Sequence, residues 1–222
     1  MSAYLPRLGP GLRKSGTIAV NPAWTAGRLT GRPLAIARAV GLVAGRDRRR
    51  PALAVDWGYS NTTLAIVCDE RALYSRRIQN CGFGRVLDAV SRTLGVSLDE
   101  AQHLVDTQGV ARPQAEAQAD LQIQAAITEA ACDVLEELTR QLARTLQFAE
   151  TQRRHVQPAS VWVMGGGASM RNVASYLADA LKIGVEAWYM PPDEGPIACA
   201  AEHRSAIFGG AAALSALAWR AA

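Results

Sequence analysis

The stretch from residue 55 to residue 64 constrains the fold of this chain more than any other. It reads Val-Asp-Trp-Gly-Tyr-Ser-Asn-Thr-Thr-Leu, with apolar runs at 52–55 before it and at 64–67 after it. The turn-forming residues between Gly58 and Asn61 predict two strands joined by a tight turn. Because Gly58 admits backbone angles that side chains forbid and lets a ligand approach, successive N–H groups of such a turn can converge on an anion.

The side chains of this turn also suit phosphate. Asp56 ends the first strand, where a carboxylate has the chemistry to hold a magnesium-bound water. Ser60, Thr62 and Thr63 add hydroxyl donors. The competing interpretation is an ordinary hairpin whose Asp56 and Asn61 cap the turn. The segment alone leaves both interpretations open.

A second glycine cluster lies about a hundred residues further along the chain. An apolar run at 159–164 is followed by Gly165, Gly166, Gly167 and Ala168, and residues 170–181 then show helical periodicity. This order predicts a strand, a glycine turn and a helix. The N–H groups at the start of such a helix favour a phosphate, and the absence of side chains in the turn leaves a slot for a flat base.

A dinucleotide-binding fingerprint is the alternative for the same residues. Gly165 and Gly167 have its spacing, and Glu186 lies about 20 residues further on, as that motif requires. Met170 stands where the third position requires Gly or Ala for close packing of helix on strand. An NAD-dependent enzyme therefore remains the less favoured interpretation.

The remaining pattern gives the fold class. Further strands are predicted at 72–78 and 184–188. Helices are predicted at 83–94, from a capping box at Ser97–Glu100 to Gly109, at 120–155 and at 206–219. Strands and helices in this mixed order predict an α/β fold whose sheet combines an antiparallel meander with a parallel βαβ unit.

The two glycine-containing turns together resemble the nucleotide site of the actin-like, Hsp70-like and sugar-kinase-like ATPases, whose lobes have a ribonuclease H-like fold. Three stretches, 32–39, 138–150 and 165–177, resemble one branch of that superfamily, the PilM-type proteins of type IV pilus assembly. The resemblance runs from Pro33 to the carboxyl end.

This resemblance implies ATP and Mg²⁺ as cofactors. It implies that Asp56 orients metal or water, that the hairpin turn wraps the phosphates, and that the glycine turn seats adenosine. The phosphate-binding residues it implies are Gly58, Tyr59, Ser60, Asn61, Thr62 and Thr63. The adenosine-binding residues it implies are Gly165, Gly166, Gly167 and Ala168. No catalytic residue is assigned, and ATP hydrolysis is left open.

The resemblance also implies a role and partners. Such a protein is a cytoplasmic, ATP-binding component of pilus biogenesis or of a related secretion machine, with no transmembrane segment of its own. It forms a ring by self-assembly and holds an inner-membrane pilus assembly subunit through a short cytoplasmic peptide. The alternative is a scaffold or interaction module of the same fold that binds no nucleotide. Trp57 favours it, because an indole is bulkier than the aliphatic residue usual beside this turn.

The first lobe of that superfamily normally supplies another Asp-x-Gly hairpin. The sequence Asp193-Glu194-Gly195 lies among prolines and predicts a loop instead. We therefore expect 51–222 to be the second lobe and 1–50 to be a remnant of the first lobe or a poorly ordered basic arm. A fragment, a truncated gene product and a degenerate relative all fit this expectation. The groove for the partner peptide belongs largely to the first lobe.

Composition argues against several other classes of protein. The 24 Lys and Arg against 20 Asp and Glu give a net charge of only +4, and no recognition-helix pattern or aromatic stripe accompanies them, which argues against nucleic-acid binding. The four Cys and three His are dispersed, so neither a zinc site nor a disulfide framework is predicted. No window reaches the ~18 apolar residues of a membrane span.

Overall fold

The computed structural model describes residues 31–44, 49–111, 120–152, 156–189 and 206–209. In this part of the chain five strands form one sheet in the order β3-β2-β1-β4-β5. The strands are β1 Ala52–Trp57, β2 Thr62–Cys68, β3 Arg71–Ile78, β4 Ser160–Met164 and β5 Val185–Ala187. The helices are α1 Arg32–Ala44, α2 Gly84–Leu94, α3 Leu98–Thr107, α4 Asp120–Gln152 and α5 Val173–Leu181. Short 3₁₀ helices cover Gly166–Ser169 and Ala206–Phe208.

The sheet is mixed, as the sequence predicts. β1, β2 and β3 form an antiparallel meander, whereas β4 pairs parallel with both β1 and β5. The α/β class, the meander and the βαβ unit formed by β4, α5 and β5 are thereby confirmed. Asp56 in β1 lies opposite Thr63 in β2 and Met164 in β4. The turns that follow β1 and β4 therefore leave the sheet at the same edge.

One face of the sheet is covered by α1. Small side chains such as Ala54 and Ala65 line this face, so Ile36 and Val40 of the helix reach the sheet and are buried. The Trp188 Nε1–H, just after β5, donates to the Ala39 carbonyl at 2.6 Å. The sequence pattern predicts no helix here, because the alanine-rich apolar face gives a weak periodic signal. The helix α1 lies in the range 1–50, which we expect to be a first-lobe remnant or a basic arm, and it packs on the same sheet as the rest of the described residues.

The opposite face carries the larger core, against which α2, α3, α4 and α5 pack. The strands contribute aliphatic residues and one indole, and the helices contribute stripes at three- and four-residue spacing. The buried residues of this core include Leu53, Val55, Trp57, Leu64, Ile66, Val86, Val90, Val105, Ile127, Leu135, Leu138, Leu142, Val161, Val163 and Leu177. Because both faces are covered, all six residues of β1 are buried.

The predicted capping box at the start of α3 is confirmed. The Glu100 backbone N–H donates to Ser97 Oγ at 3.3 Å, and the Ser97 backbone N–H donates to Glu100 Oε2 at 2.9 Å. Hydrogen bonds from the Ser97 backbone and side chain lower the pKa of the Glu100 carboxyl. This pair satisfies N–H groups that the first turn of a helix leaves without intrahelical partners.

The helix predicted from residue 170 is wrong at its start, because α5 begins at Val173. Asn172 has φ +67, which interrupts the helix, and Met170 is buried. The Arg171 N–H donates to the Val105 carbonyl at 3.2 Å, and the Arg171 carbonyl accepts from the Val110 N–H at 3.1 Å. These three residues are thus held by the end of α3 and the residues after it, a long-range contact that periodicity does not report.

Two other predictions fall partly or wholly beyond the described residues. Of the helix predicted at 206–219, the structure describes only 206–209, where residues 206–208 form a 3₁₀ turn. The loop at 193–195 lies outside the described residues. Within the described ranges, none of the helices has the length and hydropathy needed to span a bilayer.

Two isoleucines on α4 test the packing of this helix. Ile127 is fully buried, whereas Ile123, one turn earlier, is 42% exposed. We expect Ile127→Ala to lower the free energy of unfolding by about 2–5 kcal/mol, because it leaves a cavity in the core. Ile123→Ala should change it by less than about 1 kcal/mol. Urea unfolding followed by circular dichroism measures both; equal losses would contradict the orientation of α4.

Candidate functional site

The hairpin turn after β1 is held by its own backbone and by the segment before α2. The Gly58 N–H donates to the Asn61 carbonyl at 3.1 Å. The Gly58 carbonyl accepts from the Phe83 N–H at 2.9 Å, and the Tyr59 carbonyl accepts from the Gly84 N–H at 2.8 Å. Within the described residues, the N–H groups of Tyr59, Ser60 and Asn61 make no hydrogen bond. The turn therefore has backbone donors to offer an anion.

The supporting segment, Cys81–Gly84, was not among the predicted site residues. A methyl carbon added at Gly82 would lie 2.3 Å from the Tyr59 carbonyl oxygen, so only glycine lets this segment pass beneath the turn. The sequence carries a signal for it, since Gly82 and Gly84 flank Phe83 just after β3. Paired glycines of this kind mark close approach of two backbones.

The side chains of the predicted phosphate residues are divided between core and solvent. The Thr62 hydroxyl is buried and donates to the Cys81 carbonyl at 2.6 Å. Thr63 is also buried, on the face of the sheet that α1 covers, whereas Tyr59 and Ser60 are exposed. Thr62 therefore contributes to the support of the turn through its hydroxyl. The assignment of Tyr59, Ser60, Thr62 and Thr63 to phosphate binding stays a prediction.

Asp56 lies on the α1 face and is paired with Arg32, the first residue of α1. The Arg32 Nε–H donates to Asp56 Oδ2 at 2.5 Å, and the Arg32 Nη1 group lies 3.4 Å from Asn61 Oδ1. The guanidinium thus spans the hairpin turn. No local pattern pointed to Arg32 as a site residue, because the contact joins residues 24 positions apart.

These contacts do not fit direct coordination of magnesium by Asp56. One carboxylate oxygen is hydrogen-bonded to Arg32, and the other lies beside the Gly165 backbone, in a side chain that is only 9% exposed. Mg²⁺ requires oxygen ligands at about 2.0–2.1 Å in octahedral geometry. Among the described residues, no three His, Cys, Asp or Glu side chains cluster in a way that could hold a metal ion.

The glycine turn after β4 lies directly beside the hairpin turn. Gly165 has φ +86, a conformation that favours glycine, and an added methyl carbon would lie 2.7 Å from the Trp57 carbonyl oxygen. The Gly165 N–H donates to the Ala206 carbonyl at 2.9 Å. The structure therefore brings Asp56 and Gly165 together, although 109 positions separate their numbers in the sequence.

Trp57 fills the space beneath the glycine turn. A methyl carbon added at Gly167 would lie 2.1 Å from the indole. The indole Nε1–H donates to the Cys81 carbonyl at 2.8 Å, and the Phe83 ring meets it edge-on with centroids 5.5 Å apart. At Gly166 the nearest atom to an added methyl carbon is in the Phe83 ring at 3.5 Å, an ordinary contact. The three glycines thus have different surroundings.

Ser169, after the glycines, is anchored to α3. Its hydroxyl oxygen lies 2.7 Å from Asp106 Oδ1 and 2.8 Å from the Gly166 carbonyl oxygen. The hydroxyl thus ties the glycine turn to a neighbouring helix.

Glu186, the acid required by the dinucleotide alternative, lies away from both turns. It is opposite Trp162 in β4, three residues before Gly165, a distance of about 10 Å along the strand. There it borders a cavity of about 330 Å³ together with Val40, Ala44 and Tyr189. No predicted hairpin-turn or glycine-turn residue lines this cavity. The geometry disfavours Glu186 as a ribose-binding partner of the glycine turn.

The cysteines of the described residues do not form an activated nucleophile. Burial raises the pKa of the Cys81 and Cys68 thiols, and a hydrogen bond to the Glu136 carboxylate raises that of Cys132. A raised pKa keeps a thiol protonated near neutral pH. Cys81 therefore acts at this site through its backbone carbonyl.

Comparison with known proteins agrees with this architecture. No protein-family model and no curated protein matches the sequence. Among solved structures, a chain of a PilM–PilN type IV pilus biogenesis complex matches 84% of this chain at 22% identity with a TM-score of 0.63. This chain has an actin-like fold. MreB5 of Spiroplasma citri bound to AMPPNP and the ethanolamine utilization protein EutJ from Carboxydothermus hydrogenoformans each match at 14% identity and a TM-score of 0.56.

The matches cover only about half of each solved structure. The chain spans 52% of the PilM–PilN chain, 53% of EutJ and 58% of MreB5, while 83–84% of this chain is covered in each case. The comparisons therefore support the actin-like, ribonuclease H-like architecture of the described body.

Neighbouring glycines test the packing of the turn on Trp57. We expect Gly167→Ala to lower the free energy of unfolding by about 1–3 kcal/mol, because its methyl group overlaps the indole and forces a shift. Gly166→Ala is the matched control and should change it by less than about 1 kcal/mol. Chemical denaturation measures both variants. In a Trp57→Leu background the cost of Gly167→Ala should shrink, and an undiminished cost would contradict the contact.

Proposed function

We propose that this chain binds an adenine nucleotide between the hairpin turn and the glycine turn. The observation that carries the proposal is the parallel pairing of β1 with β4, which places Asp56 beside Gly165. The hairpin turn offers the N–H groups of Tyr59, Ser60 and Asn61 to the phosphates. The turn at Gly165–Ala168 offers a surface without long side chains for adenosine.

The nucleotide is assigned as ATP or ADP. Two solved structures with the same architecture are MreB5 of Spiroplasma citri bound to AMPPNP and to ADP. Both glycine-containing turns of this chain occur at one sheet edge, where an adenine nucleotide would contact each of them. The proposal covers binding and not hydrolysis, since no residue has been assigned to activate water.

We further propose a PilM-like role in assembly of a type IV pilus or a related secretion machine. The support is the likeness to the PilM–PilN complex, together with the three stretches that resemble the PilM-type proteins. In this role the protein works in the cytoplasm, self-assembles into a ring, and is held at the inner membrane by the cytoplasmic peptide of a PilN-like subunit.

A scaffold of the same fold that binds no nucleotide is the second candidate. Trp57 favours it, since the indole occupies the space beside the glycine turn on the core side. The indole does not lie on the α1 face, where Asp56 and Arg32 meet. The two candidate functions differ in whether the protein binds a nucleotide, which a ligand titration measures.

Thermal unfolding with nucleotides tests the proposal. At about 100 times its Kd, ATP should stabilise the folded protein by about 2.7 kcal/mol, which raises Tm by several degrees. Gly166→Asp should abolish this shift, because it places a carboxylate in the nucleotide slot without overlapping the core. Gly184→Asp is the matched control, since nothing lies within 4 Å of an added methyl carbon there, and it should keep the shift.

The other outcomes separate the alternatives. If neither ATP nor ADP changes Tm, the nucleotide site is refuted and the scaffold is favoured. A shift with NAD but not with ATP would instead support the dinucleotide-dependent enzyme. For the pilus role, a synthetic peptide from the cytoplasmic end of a PilN-like subunit should bind the full chain in a calorimetric titration, and absence of heat would refute that partner.

A further inference from the structure

The Arg32 guanidinium lies across the hairpin turn and not merely beside Asp56. Its Nε–H donates to Asp56 Oδ2 at 2.5 Å, and its Nη1 lies 3.4 Å from Asn61 Oδ1. Its Nη2 lies 3.3 Å from the position of a methyl carbon added at Gly58. The cationic group thus contacts Asp56 before the turn and Asn61 at its end, and lies alongside Gly58 between them.

The two members of this ion pair differ in exposure. The Asp56 side chain is 9% exposed, whereas the Arg32 side chain is 49% exposed. A guanidinium has five N–H donors, and the two contacts with Asp56 and Asn61 use two of them. The donors that remain are on the exposed partner. A ligand that approaches from solvent therefore contacts Arg32 before it contacts Asp56.

A planar guanidinium suits a phosphate group. Arginine keeps its charge at every physiological pH and binds phosphate oxygens through paired N–H donors. A divalent cation ligated directly by Asp56 would compete with Arg32 for one oxygen and would have to reach the other beside the Gly165 backbone, in a side chain that is only 9% exposed. A phosphate at this position would therefore meet the Arg32 guanidinium, where the resemblance implies a metal ion oriented by Asp56.

We propose that Arg32 replaces the divalent cation at this site, so that the chain binds the polyphosphate of a nucleotide without a metal ion. The proposal rests on the nucleotide site proposed above and adds the residue that determines its metal requirement. Arg32 reaches the phosphates directly, and Asp56 positions the guanidinium. Loss of Arg32 leaves a carboxylate with no counter-charge next to the phosphates, a state in which added Mg²⁺ becomes useful.

Isothermal titration of the full chain with ATP, in excess EDTA and in MgCl₂, tests this inference. The wild-type Kd in EDTA should equal that in MgCl₂ within about threefold. Arg32→Gln should weaken binding in EDTA at least tenfold, and MgCl₂ should recover a measurable part of the loss. Lys182→Gln is the matched control, because it likewise removes an exposed cation from an ion pair, here with Asp179 at the far end of α5. It should leave both affinities unchanged.

Each contrary result has a defined meaning. Wild-type binding that requires MgCl₂ overturns this inference and leaves the nucleotide site intact. Equal affinity of Arg32→Gln and wild type in EDTA also overturns it. Absence of ATP binding by the wild type in both buffers refutes the nucleotide site and this inference with it. If Arg32→Gln does not fold, Arg32→Lys keeps the charge but loses the planar fork, and an unchanged Kd in EDTA overturns the inference.

Discussion

The parallel pairing of β1 with β4 is the constraint on which the rest of the structure depends. Val55 lies opposite Val163 and Asp56 opposite Met164, so both strands end at one sheet edge. The two strands are buried on both faces, and their apolar side chains stabilise the pair against water. Without this pairing, the hairpin turn after β1 and the glycine turn after β4 would be two separate loops. Side by side, the two turns bring the segment after Asp56 and Gly165 together at one sheet edge.

Trp57 couples these two turns mechanically. One indole packs against Gly167, donates to the Cys81 carbonyl and meets the Phe83 ring, and the segment Cys81–Gly84 in turn supports the hairpin turn. A shift of the glycine turn therefore moves the support of the hairpin turn as well. Of the three glycines in the glycine turn, Gly166 alone has room for a side chain, since Gly167 lies against the indole and Gly165 against the Trp57 carbonyl. The indole that favours a scaffold thus also fixes the geometry that a nucleotide would require.

The sequence predicts the sheet well, because its signals are local. Apolar runs bounded by turn formers predict the strands, and Ser97 with Glu100 predicts the start of α3. The features that the sequence does not predict depend on contacts between distant residues. The start of α5 moves to Val173 because residues 170–172 bind the end of α3, and the Thr62 hydroxyl turns inward to the Cys81 carbonyl. Arg32 is not predicted as a site residue for the same reason, because only the fold places it beside Asp56, 24 positions away in the sequence.

The difference in burial between Asp56 and Arg32 explains why this corner carries an arginine. A carboxylate that is 9% exposed requires a counter-charge in the folded state, because an unpaired buried charge costs several kcal/mol. A metal that arrives with a ligand supplies this charge only while the ligand is bound. An arginine at the start of α1 supplies it permanently, and its own half-exposed position makes its placement inexpensive. The packing of α1 on the sheet thus has an electrostatic consequence, since it holds a cation against the hairpin turn before any ligand binds.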